Sequence, residues 1–289
     1  MRKLFTFAAS NFTHNQKTNF KMKPKNIAII GGGNLGSSIA KGIVTSGLLQ
    51  ASQITVTNLE LSMIQPLQDE IGVNITTDNL EAIKGAEIVI VAVKPTVAKI
   101  VLNQIKDAIV SGNKVLISVI SGIKLHDLEN ILGDVPVIRV MPNTAIAIRE
   151  SMTALSFNEK GLAHKDEVVE IFDQLGTTMV IPDSQMPAFT VLASCGIAFA
   201  LRFMRAASQG GIEIGISSKQ SLEVATQIMK GASKLIIENG THPEPEIDKV
   251  TTPLGVTICS LNKMEHEGFS TSLVQGVVSG YNKIQETEK

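Results

Sequence analysis

Up to residue 181, short apolar runs alternate with stretches of helical period along this chain. Residues 27–30 are such a run, which is typical of a strand buried on both faces of a parallel sheet, and residues 87–93 are predicted to form a deeply buried strand as well. The other predicted strands cover residues 53–57, 73–76, 114–119, 136–141, 152–157 and 177–181. Helices are predicted between them, among them 37–46 and 165–175. This alternation predicts an α/β domain of the Rossmann type.

Beyond residue 182 the pattern predicts helices and contains no convincing strand. The predicted helices cover residues 189–207, 218–239, 258–267 and 270–285. The second of these has apolar side chains every three or four positions, at Leu222, Ala225, Ile228, Met229, Ala232 and Leu235. Gly240 is predicted to end it, and Pro243 and Pro245 are predicted to keep the next turn from being helical. The second half is therefore predicted to be all-α.

Several of these helices are apolar on more than one face, which predicts a partner. A helix that is apolar all round must be buried, so we expect this domain to complete its core with a second subunit, as a homodimer. A self-contained monomeric bundle is the alternative. The predicted domains are residues 22–182 and 183–289. Residues 1–21 have no apolar period and are predicted to be a disordered tail or a mis-assigned start before Met22.

Charge and cysteine content narrow the function classes. The net charge is −1, and basic and acidic residues are interspersed along the chain. There is therefore no electrostatic case for binding nucleic acid or an acidic membrane. The longest apolar run, 88–93, is far shorter than the roughly 20 residues that span a bilayer. Cys195 and Cys259 form no C-x-x-C motif, which is typical of reduced thiols in a cytosolic protein. We expect a cytoplasmic protein without a metal site.

The turn after the first strand carries a glycine motif. Gly31, Gly33 and Gly36 have G-x-G-x-x-G spacing, with Asn34 and Leu35 between the last two. The first glycine allows the tight turn, the second lets the backbone approach a pyrophosphate, and the third lets the helix pack closely on the sheet. The free amides and the dipole of that helix would face the phosphates. A glycine-rich turn without a ligand is the alternative, but the strand before and the helix after favour dinucleotide binding.

The residues after the second strand bear on the choice of cofactor. The sequence there is Asn58, Leu59 and Glu60, with no arginine. In sites that prefer NAD an acid at this point accepts the ribose 2′-hydroxyl, whereas a nearby arginine accommodates the 2′-phosphate of NADP. Glu60 favours NAD, but Asn58 could serve either cofactor. The sequence leaves the choice between NADH and NADPH open.

Residues 250–261 are the most informative part of the helical half. Thr252 and Thr257 supply hydroxyls, and Gly255 precedes a predicted helix start with unpaired amides. Such a site binds a small carboxylate by hydrogen bonds and by the helix dipole. The alternative is that the threonines only cap a helix. A hydride-carrying cofactor needs an oriented substrate, which favours the binding interpretation.

Over residues 26–281 the chain resembles the pyrroline-5-carboxylate reductases, which catalyse the last step of proline synthesis. Besides the glycine motif, the resemblance rests on Ala-Val-Lys-Pro at 92–95, Met-Pro-Asn-Thr at 141–144 and His-Pro at 242–243. The most specific motif is Val-Thr-x-Pro-x-Gly-x-Thr-Ile at 250–258.

The resemblance implies roles for particular residues. The implied cofactor, NADPH or NADH, would contact Gly31, Gly33, Asn34, Leu35, Gly36, Asn58, Asn79, Ala92, Val93, Lys94, Pro95, Ser118, Ser121, Gly122 and Asn143. The substrate carboxylate would be held by Thr252, Gly255, Val256 and Thr257. The family is also known for dimers interlocked through the helical domain, often assembled into decamers.

The implied reaction is hydride transfer from NAD(P)H to 1-pyrroline-5-carboxylate, giving L-proline. A protonated imine is already electrophilic, so positioning and electrostatics suffice without a strong general acid. Thr257 is the predicted catalytic hydroxyl, close to the ring nitrogen. Lys94, at the end of a central strand, would face the ligand crevice; a solvated loop lysine is the alternative.

The chain departs from the family pattern at a few positions, and two other functions stay open. Leu254 and Val256 replace a glycine and a hydroxyl residue of the substrate motif, and Cys195 and Ile197 alter a motif in the first long helix. These changes allow a catalytically silent NAD(P)H-binding regulatory protein. A related imine or 3-hydroxyacid reductase is the other alternative, although the helix 189–207 offers only arginines in place of a catalytic lysine or acid.

Overall fold

The computed structural model describes residues 25–287, so the prediction for residues 1–21 lies outside the described part. Its eight strands are β1 Ile27–Ile30, β2 Ile54–Thr57, β3 Asn74–Thr76, β4 Ile88–Val91, β5 Val115–Ser118, β6 Val137–Met141, β7 Ser151–Phe157 and β8 Gly176–Val180. They form one sheet in the order β3-β2-β1-β4-β5-β6-β7-β8. All neighbours are parallel except β6 and β7. The short 3₁₀ turn Thr144–Ile148 joins these two strands, and a link of that length cannot cross back to make them parallel.

The helices follow the predicted division of the chain. In the α/β part they are α1 Asn34–Ser46, α2 Gln65–Ile71, α3 Asn79–Lys84, α4 Pro95–Ser111, α5 Leu125–Leu132 and α6 Lys165–Asp173. Later in the chain come α7 Met186–Phe189, α8 Gly196–Glu213, α9 Ser218–Asn239, α10 Pro243–Val250, α11 Val256–His266 and α12 Phe269–Thr287. The predicted fold class, a Rossmann-type domain followed by helices, is confirmed.

The central strands of the sheet are buried on both faces, as consecutive apolar positions predict, whereas the edge strand β8 is exposed at Thr177, Met179 and Val180. Ile27 and Ile29 enter a core shared with α1, α2 and α6, whereas Ala28 and Ile30 enter a second core shared with α3, α4 and α5. Each residue of β1 therefore contributes to one core or the other, which explains why the central strands do not alternate between apolar and polar residues.

The described residues form two compact units. One contains residues 25–197 and 277–287, and the other contains residues 198–276. The predicted domain boundary after residue 182 stays a proposal, since the compact units divide within a helical run. That run continues through a π-helical segment, Thr190–Cys195, before α8.

Two predictions about helices need correction. The first helix begins at Asn34 and not at residue 37, because the chain turns helical directly after the N-cap Gly33. The segment after Gly240 is helix α10, so the prediction that Pro243 and Pro245 keep this turn from being helical is wrong. Both prolines lie in its first turn, where a backbone N–H has no helical acceptor. Because proline only lacks this N–H, no helical hydrogen bond is lost there. His242 caps this helix by accepting a hydrogen bond from the Glu244 amide over 3.3 Å.

Large apolar side chains are exposed along the helical unit. On α9, Leu222, Ile228 and Leu235 are each about half exposed, whereas Ala225 is buried. The run Asp183–Glu213 is long and apolar enough, by length and composition, to cross a membrane; an 18-residue stretch of it has a mean hydropathy of 1.6 and is 17% buried. Arg202 and Arg205 lie inside this run and are exposed. Charges at such positions are costly in hydrocarbon, so a protein surface is the better cover for this apolar face.

Candidate active site

The turn from β1 into α1 has the geometry that the glycine spacing predicts. Gly31 has φ of 107°, and a Cβ placed there would lie 2.7 Å from the Ala92 carbonyl oxygen. A Cβ on Gly36 would lie 2.1 Å from the Gly31 carbonyl oxygen, so only glycine lets α1 start this close to β1. A Cβ on Gly33 would meet no protein atom within 4 Å. The Gly33 backbone therefore borders open space that a ligand phosphate could enter.

The start of α1 offers unpaired donors beside this space. Gly33 is the N-cap, with no side-chain cap, and Asn34, Leu35 and Gly36 supply the first helical amides. In the part of the chain that the structure describes, no protein group accepts a hydrogen bond from these three amides. Such amides, together with the helix dipole, suit a pyrophosphate.

Gly32 is a residue of this turn that the sequence analysis did not single out. It is buried, and its amide donates to the Thr57 carbonyl oxygen over 2.6 Å. A Cβ there would lie 2.4 Å from Ile64 and 2.8 Å from Val56. The glycine motif leaves this position unspecified, although three successive glycines were a signal that it is also constrained.

The end of β2 lies next to the glycine turn. Asn58 donates from Nδ2 to the Gly32 carbonyl oxygen over 3.2 Å, and its Oδ1 accepts from the Leu59 amide over 2.7 Å. Leu59 is 95% exposed, and Glu60 is exposed as well. Asn79, at the start of α3, accepts from the Thr57 hydroxyl over 2.7 Å and donates to Gln104 over 3.0 Å. Both asparagines are therefore held in place by protein contacts.

The ends of β4 and β5 lie on the other side of β1 from β2. Ala92 and Val93 are half-buried against the glycine turn, and Lys94 and Pro95 are exposed at the start of α4, where Lys94 is the N-cap. Next to them Ser118 is fully buried, and Ser121 and Gly122 form an exposed turn. These residues therefore line the same edge of the sheet, where open α/β sheets bind ligands.

Asn143, after β6, is buried and has both ends of its side chain bonded. Its Oδ1 accepts from the Ala145 amide over 2.9 Å, and its Nδ2 donates to the Ala193 carbonyl oxygen over 3.1 Å. Its own amide donates to the Ser151 hydroxyl over 3.0 Å. Both ends of the Asn143 side chain are therefore directed at the protein.

The π-helical segment is joined to the same loop. The Ser194 hydroxyl donates to the Pro142 carbonyl oxygen over 2.8 Å, alongside the bond from Asn143 to Ala193. A π-helical turn shifts the backbone pairing by one residue, which frees carbonyls for partners outside the helix. These two hydrogen bonds join the loop after β6 to residues 190–195. They link residues that are far apart in sequence, so no local pattern predicts them.

The substrate motif of the helical unit forms a tight turn followed by a helix start. The Gly255 amide donates to the Thr252 carbonyl oxygen over 2.9 Å, which closes a turn with Leu254 at φ of 59°. A Cβ on Gly255 would lie 2.5 Å from the Thr252 hydroxyl and 2.9 Å from the Thr252 carbonyl oxygen, so a larger residue there would displace this turn. Leu254 and Val256 are exposed.

Helix α11 begins directly after this turn, with Gly255 as N-cap and Val256 and Thr257 as its first residues. It has no side-chain cap, so neither threonine has the capping role that was the alternative. Within residues 25–287 the Thr252 and Thr257 hydroxyls and the amides of Val256 and Thr257 have no recorded protein partner. Hydroxyls and helical amides left free in this way can bind a carboxylate.

The described residues offer few groups for acid–base or metal chemistry. They contain no cluster of three or more His, Cys, Asp or Glu side chains that could hold a metal ion. The pKa of Glu246 is lowered, chiefly by its hydrogen bond from Lys249 and next by that from Thr241, but these residues serve the end of α9 and helix α10. The groups at the two candidate sites are therefore suited to binding and orienting ligands.

Comparison with protein families gives two matches, one in each half of the chain. Residues 183–287 match a family described as pyrroline-5-carboxylate reductase dimerisation. Residues 26–122 match a family described as NADP oxidoreductase, coenzyme F420-dependent. The helical half therefore carries a dimerisation domain.

Individual relatives cover nearly all of the chain. Pyrroline-5-carboxylate reductase 1 of Dictyostelium discoideum is 44% identical over 91% of this chain, which spans 50% of that relative's length. Pyrroline-5-carboxylate reductase 2 of the same organism is 41% identical, with 91% of this chain and 93% of the relative covered. Among solved structures, a pyrroline-5-carboxylate reductase from Coxiella burnetii has a TM-score of 0.86 at 26% identity and covers 92% of this chain and 100% of that one.

Proposed function

The chain belongs to the pyrroline-5-carboxylate reductase family and is an NAD(P)H-dependent oxidoreductase of proline biosynthesis; we propose that it transfers hydride to the C=N bond of 1-pyrroline-5-carboxylate, giving L-proline. One observation carries this proposal: 41% identity to a named reductase along 93% of that relative's length. The open glycine turn and the free helix start of α11 support it, because each suits one of the two ligands of the reaction.

The cofactor is held by residues at the carboxyl edge of the sheet. The amides of Asn34, Leu35 and Gly36 bind the pyrophosphate, and Gly33 leaves room for it. The nucleotide is lined by Asn58, Asn79, residues 92–95, Ser118, Ser121 and Gly122. Asn143 lies near the nicotinamide and acts by positioning the backbone around it, since its own side chain is bonded to the protein.

The substrate carboxylate is held at the start of α11. The hydroxyl of Thr252, the amides of Gly255 and Val256, and the hydroxyl of Thr257 are assigned to it. The Gly255 amide already donates to Thr252 within the turn, so the Val256 amide and the two hydroxyls are the stronger donors. Val256 retains the backbone donor although its side chain cannot donate.

The chain's residues contribute orientation to the chemistry. When bound, the reduced nicotinamide supplies the hydride. The protonated imine of the substrate accepts it without a strong general acid, so the groups around it must orient the substrate and stabilise its charge distribution. Thr257 is the residue we assign to a position beside the ring nitrogen.

The functional unit is a dimer built through the helical half. The dimerisation domain and the exposed apolar side chains of α9 support this proposal. Assembly of dimers into a decamer and a cytoplasmic location remain proposals from the family resemblance and the sequence.

An assay tests the activity directly. Purified protein is mixed with 1-pyrroline-5-carboxylate and NADH or NADPH at neutral pH, and both cofactor oxidation and L-proline are measured. We expect both signals with at least one cofactor. Cofactor binding without proline formation would favour the silent regulatory protein, and oxidation with other imines or 3-hydroxyacids alone would favour a related reductase.

A further inference from the structure

The loops after β2 and β3 lie together beside the glycine turn. β2 pairs with β1, bringing Thr57 opposite Ile30, and β3 pairs with β2, bringing Thr76 opposite Thr57. Both loops therefore leave the sheet at the edge where the cofactor is bound under the proposed function. In folds of this kind the residues at the end of β2 contact the adenosine ribose, whose 2′ position distinguishes NADH from NADPH.

This region is acidic and contains no cation. Residues 54–83, which include both loops, contain no lysine, arginine or histidine. The same residues contain five acids, Glu60, Asp69, Glu70, Asp78 and Glu81. A 2′-phosphate carries negative charge, so it would meet carboxylates here without a neutralising partner from these loops.

The lysines of the neighbouring elements are either paired with an acid or located away from the end of β2. Lys41 of α1 is paired with Glu70. Lys84 is in the last turn of α3, which starts at the ligand edge of the sheet and returns to the opposite edge before β4. Lys94 follows β4, which lies on the other side of β1 from β2. None of these residues takes the place of an arginine at the end of β2.

The side-chain amides of Asn58 and Asn79 and the hydroxyl of Thr76 are also occupied. Asn58 is bonded to the Gly32 carbonyl oxygen and the Leu59 amide, and Asn79 is bonded to Thr57 and Gln104. The Thr76 hydroxyl donates to Glu81 over 2.7 Å. Leu59, next along the chain, is apolar and 95% exposed. Glu60, by contrast, has a carboxylate without a recorded partner among the described residues, and a carboxylate can accept from a ribose hydroxyl.

We propose that this site discriminates against a 2′-phosphate and that the chain prefers NADH to NADPH, with Leu59 and Glu60 as the specificity-determining residues. The preference rests on the proposed function, because it concerns the cofactor of the same site. The family matched by residues 26–122 is described with NADP, so the preference distinguishes this chain within that group.

Direct binding is the first test. The full-length protein contains no tryptophan, so isothermal titration calorimetry is preferred to protein fluorescence. We expect the Kd of NADPH to exceed that of NADH by at least about fivefold at low salt, and the ratio to shrink between about 0.02 M and about 0.3 M NaCl as charge repulsion is screened. A ratio below about fivefold at low salt, or one that does not fall with salt, would overturn the proposal.

A matched pair of variants tests the residue assignment. Leu59→Arg should lower the NADPH-to-NADH ratio of Kd values by about fivefold or more, because it supplies the missing cation. Leu61→Arg adds the same charge to the next exposed leucine of this loop and should leave the ratio within about twofold of wild type. Equal shifts in the two variants, or no shift for Leu59→Arg, would overturn the assignment.

The cofactor preference can be tested separately from the proposed reaction, since cofactor binding is measured without an imine substrate. Preference for NADH without proline formation would refute the proposed reaction and leave the preference intact. Proline formation with tighter binding of NADPH would refute the preference and leave the reaction intact.

Discussion

At the scale of single residues, Gly33 and Gly36 serve different purposes in one motif. A side chain at position 36 would collide with the backbone of Gly31, whereas one at position 33 would enter open space. Glycine at position 36 is therefore a requirement of folding, and glycine at position 33 is needed only if a ligand occupies that space.

Gly33→Val should abolish NADH and NADPH binding while the protein stays folded, because the new side chain meets no protein atom and would occupy the pyrophosphate space. Calorimetric titration with each cofactor and circular dichroism check this. Gly85→Val is the control, since Gly85 is another open glycine with negative φ, outside the site. Wild-type affinity in Gly33→Val would show that the nucleotide site is wrongly assigned.

Thr257→Val should lower kcat/KM by about ten- to 150-fold, because a hydrogen bond to a charged partner is worth roughly 1.5–3 kcal/mol. Cofactor affinity without substrate should hardly change. Steady-state kinetics and a denaturant melt are the measurements. Thr251→Val is a control, since the Thr251 hydroxyl donates to the Asp248 carbonyl oxygen over 3.1 Å and so has a structural role. Normal kcat/KM in Thr257→Val would remove this residue from the site.

Leu254→Gly should raise the free energy of unfolding by about 1 kcal/mol, because Leu254 adopts a left-handed conformation that disfavours side chains with a Cβ. The leucine side chain is fully exposed, so its removal loses little packing. Chemical denaturation measures the effect. Leu254→Ala retains the Cβ and should give no such gain; equal stability of the two variants would argue against strain in this turn.

At the scale of elements, the π-helical segment and the loop after β6 form one unit. Their two hydrogen bonds join residues about 50 positions apart in sequence, Ser194 to Pro142 and Asn143 to Ala193. The hydroxyl of Ser151, the first residue of β7, also holds this loop in place by accepting from the Asn143 amide. The family motif that is altered at Cys195 and Ile197 therefore spans the end of the π-helical segment and the start of α8.

Ser194→Ala should destabilise the protein by about 1 kcal/mol, because the Pro142 carbonyl loses its only recorded side-chain donor among the described residues. Ser233→Ala is the matched control. The Ser233 hydroxyl donates to the Met229 carbonyl oxygen within α9, and we expect a change of no more than about 0.5 kcal/mol there. Denaturant midpoints compare the two variants, and equal midpoints would contradict the proposed role of this bond.

At the scale of the whole molecule, the helical half is a dimerisation domain that exposes apolar side chains on α9. Ile228 is 51% exposed and belongs to the apolar stripe of α9. Ile228→Glu should shift the protein from dimer to monomer, because a buried unpaired charge is costly at an interface. Sedimentation velocity over a dilution series measures the change. Lys230→Glu places the same side chain on an already polar position of α9 and should remain dimeric; a dimeric Ile228→Glu would show that this stripe is not the interface.

The sequence alone determined the features that depend on local pattern. Continuous apolar runs predicted the buried strands, apolar positions three and four residues apart predicted the helices, and three spaced glycines predicted the β1–α1 turn. Each of these patterns reflects constraints between neighbours along the chain. The helix 218–239 was predicted with the bounds that the structure gives it. Its glycine stop was also right, because a left-handed C-cap favours glycine.

The tertiary structure decided the features that depend on distant residues or on a specific backbone angle. The prolines of α10 suggested a break until their place in the first turn was known. The bond from Asn143 to Ala193 and the packing of Gly32 against Ile64 join parts of the chain that share no local pattern. The lack of cations after β2 was visible in the sequence, but its meaning required knowing that the side-chain amides of Asn58 and Asn79 are already bonded to the protein. Sequence pattern reports which residues are buried, whereas hydrogen-bond partners are set by the folded chain as a whole.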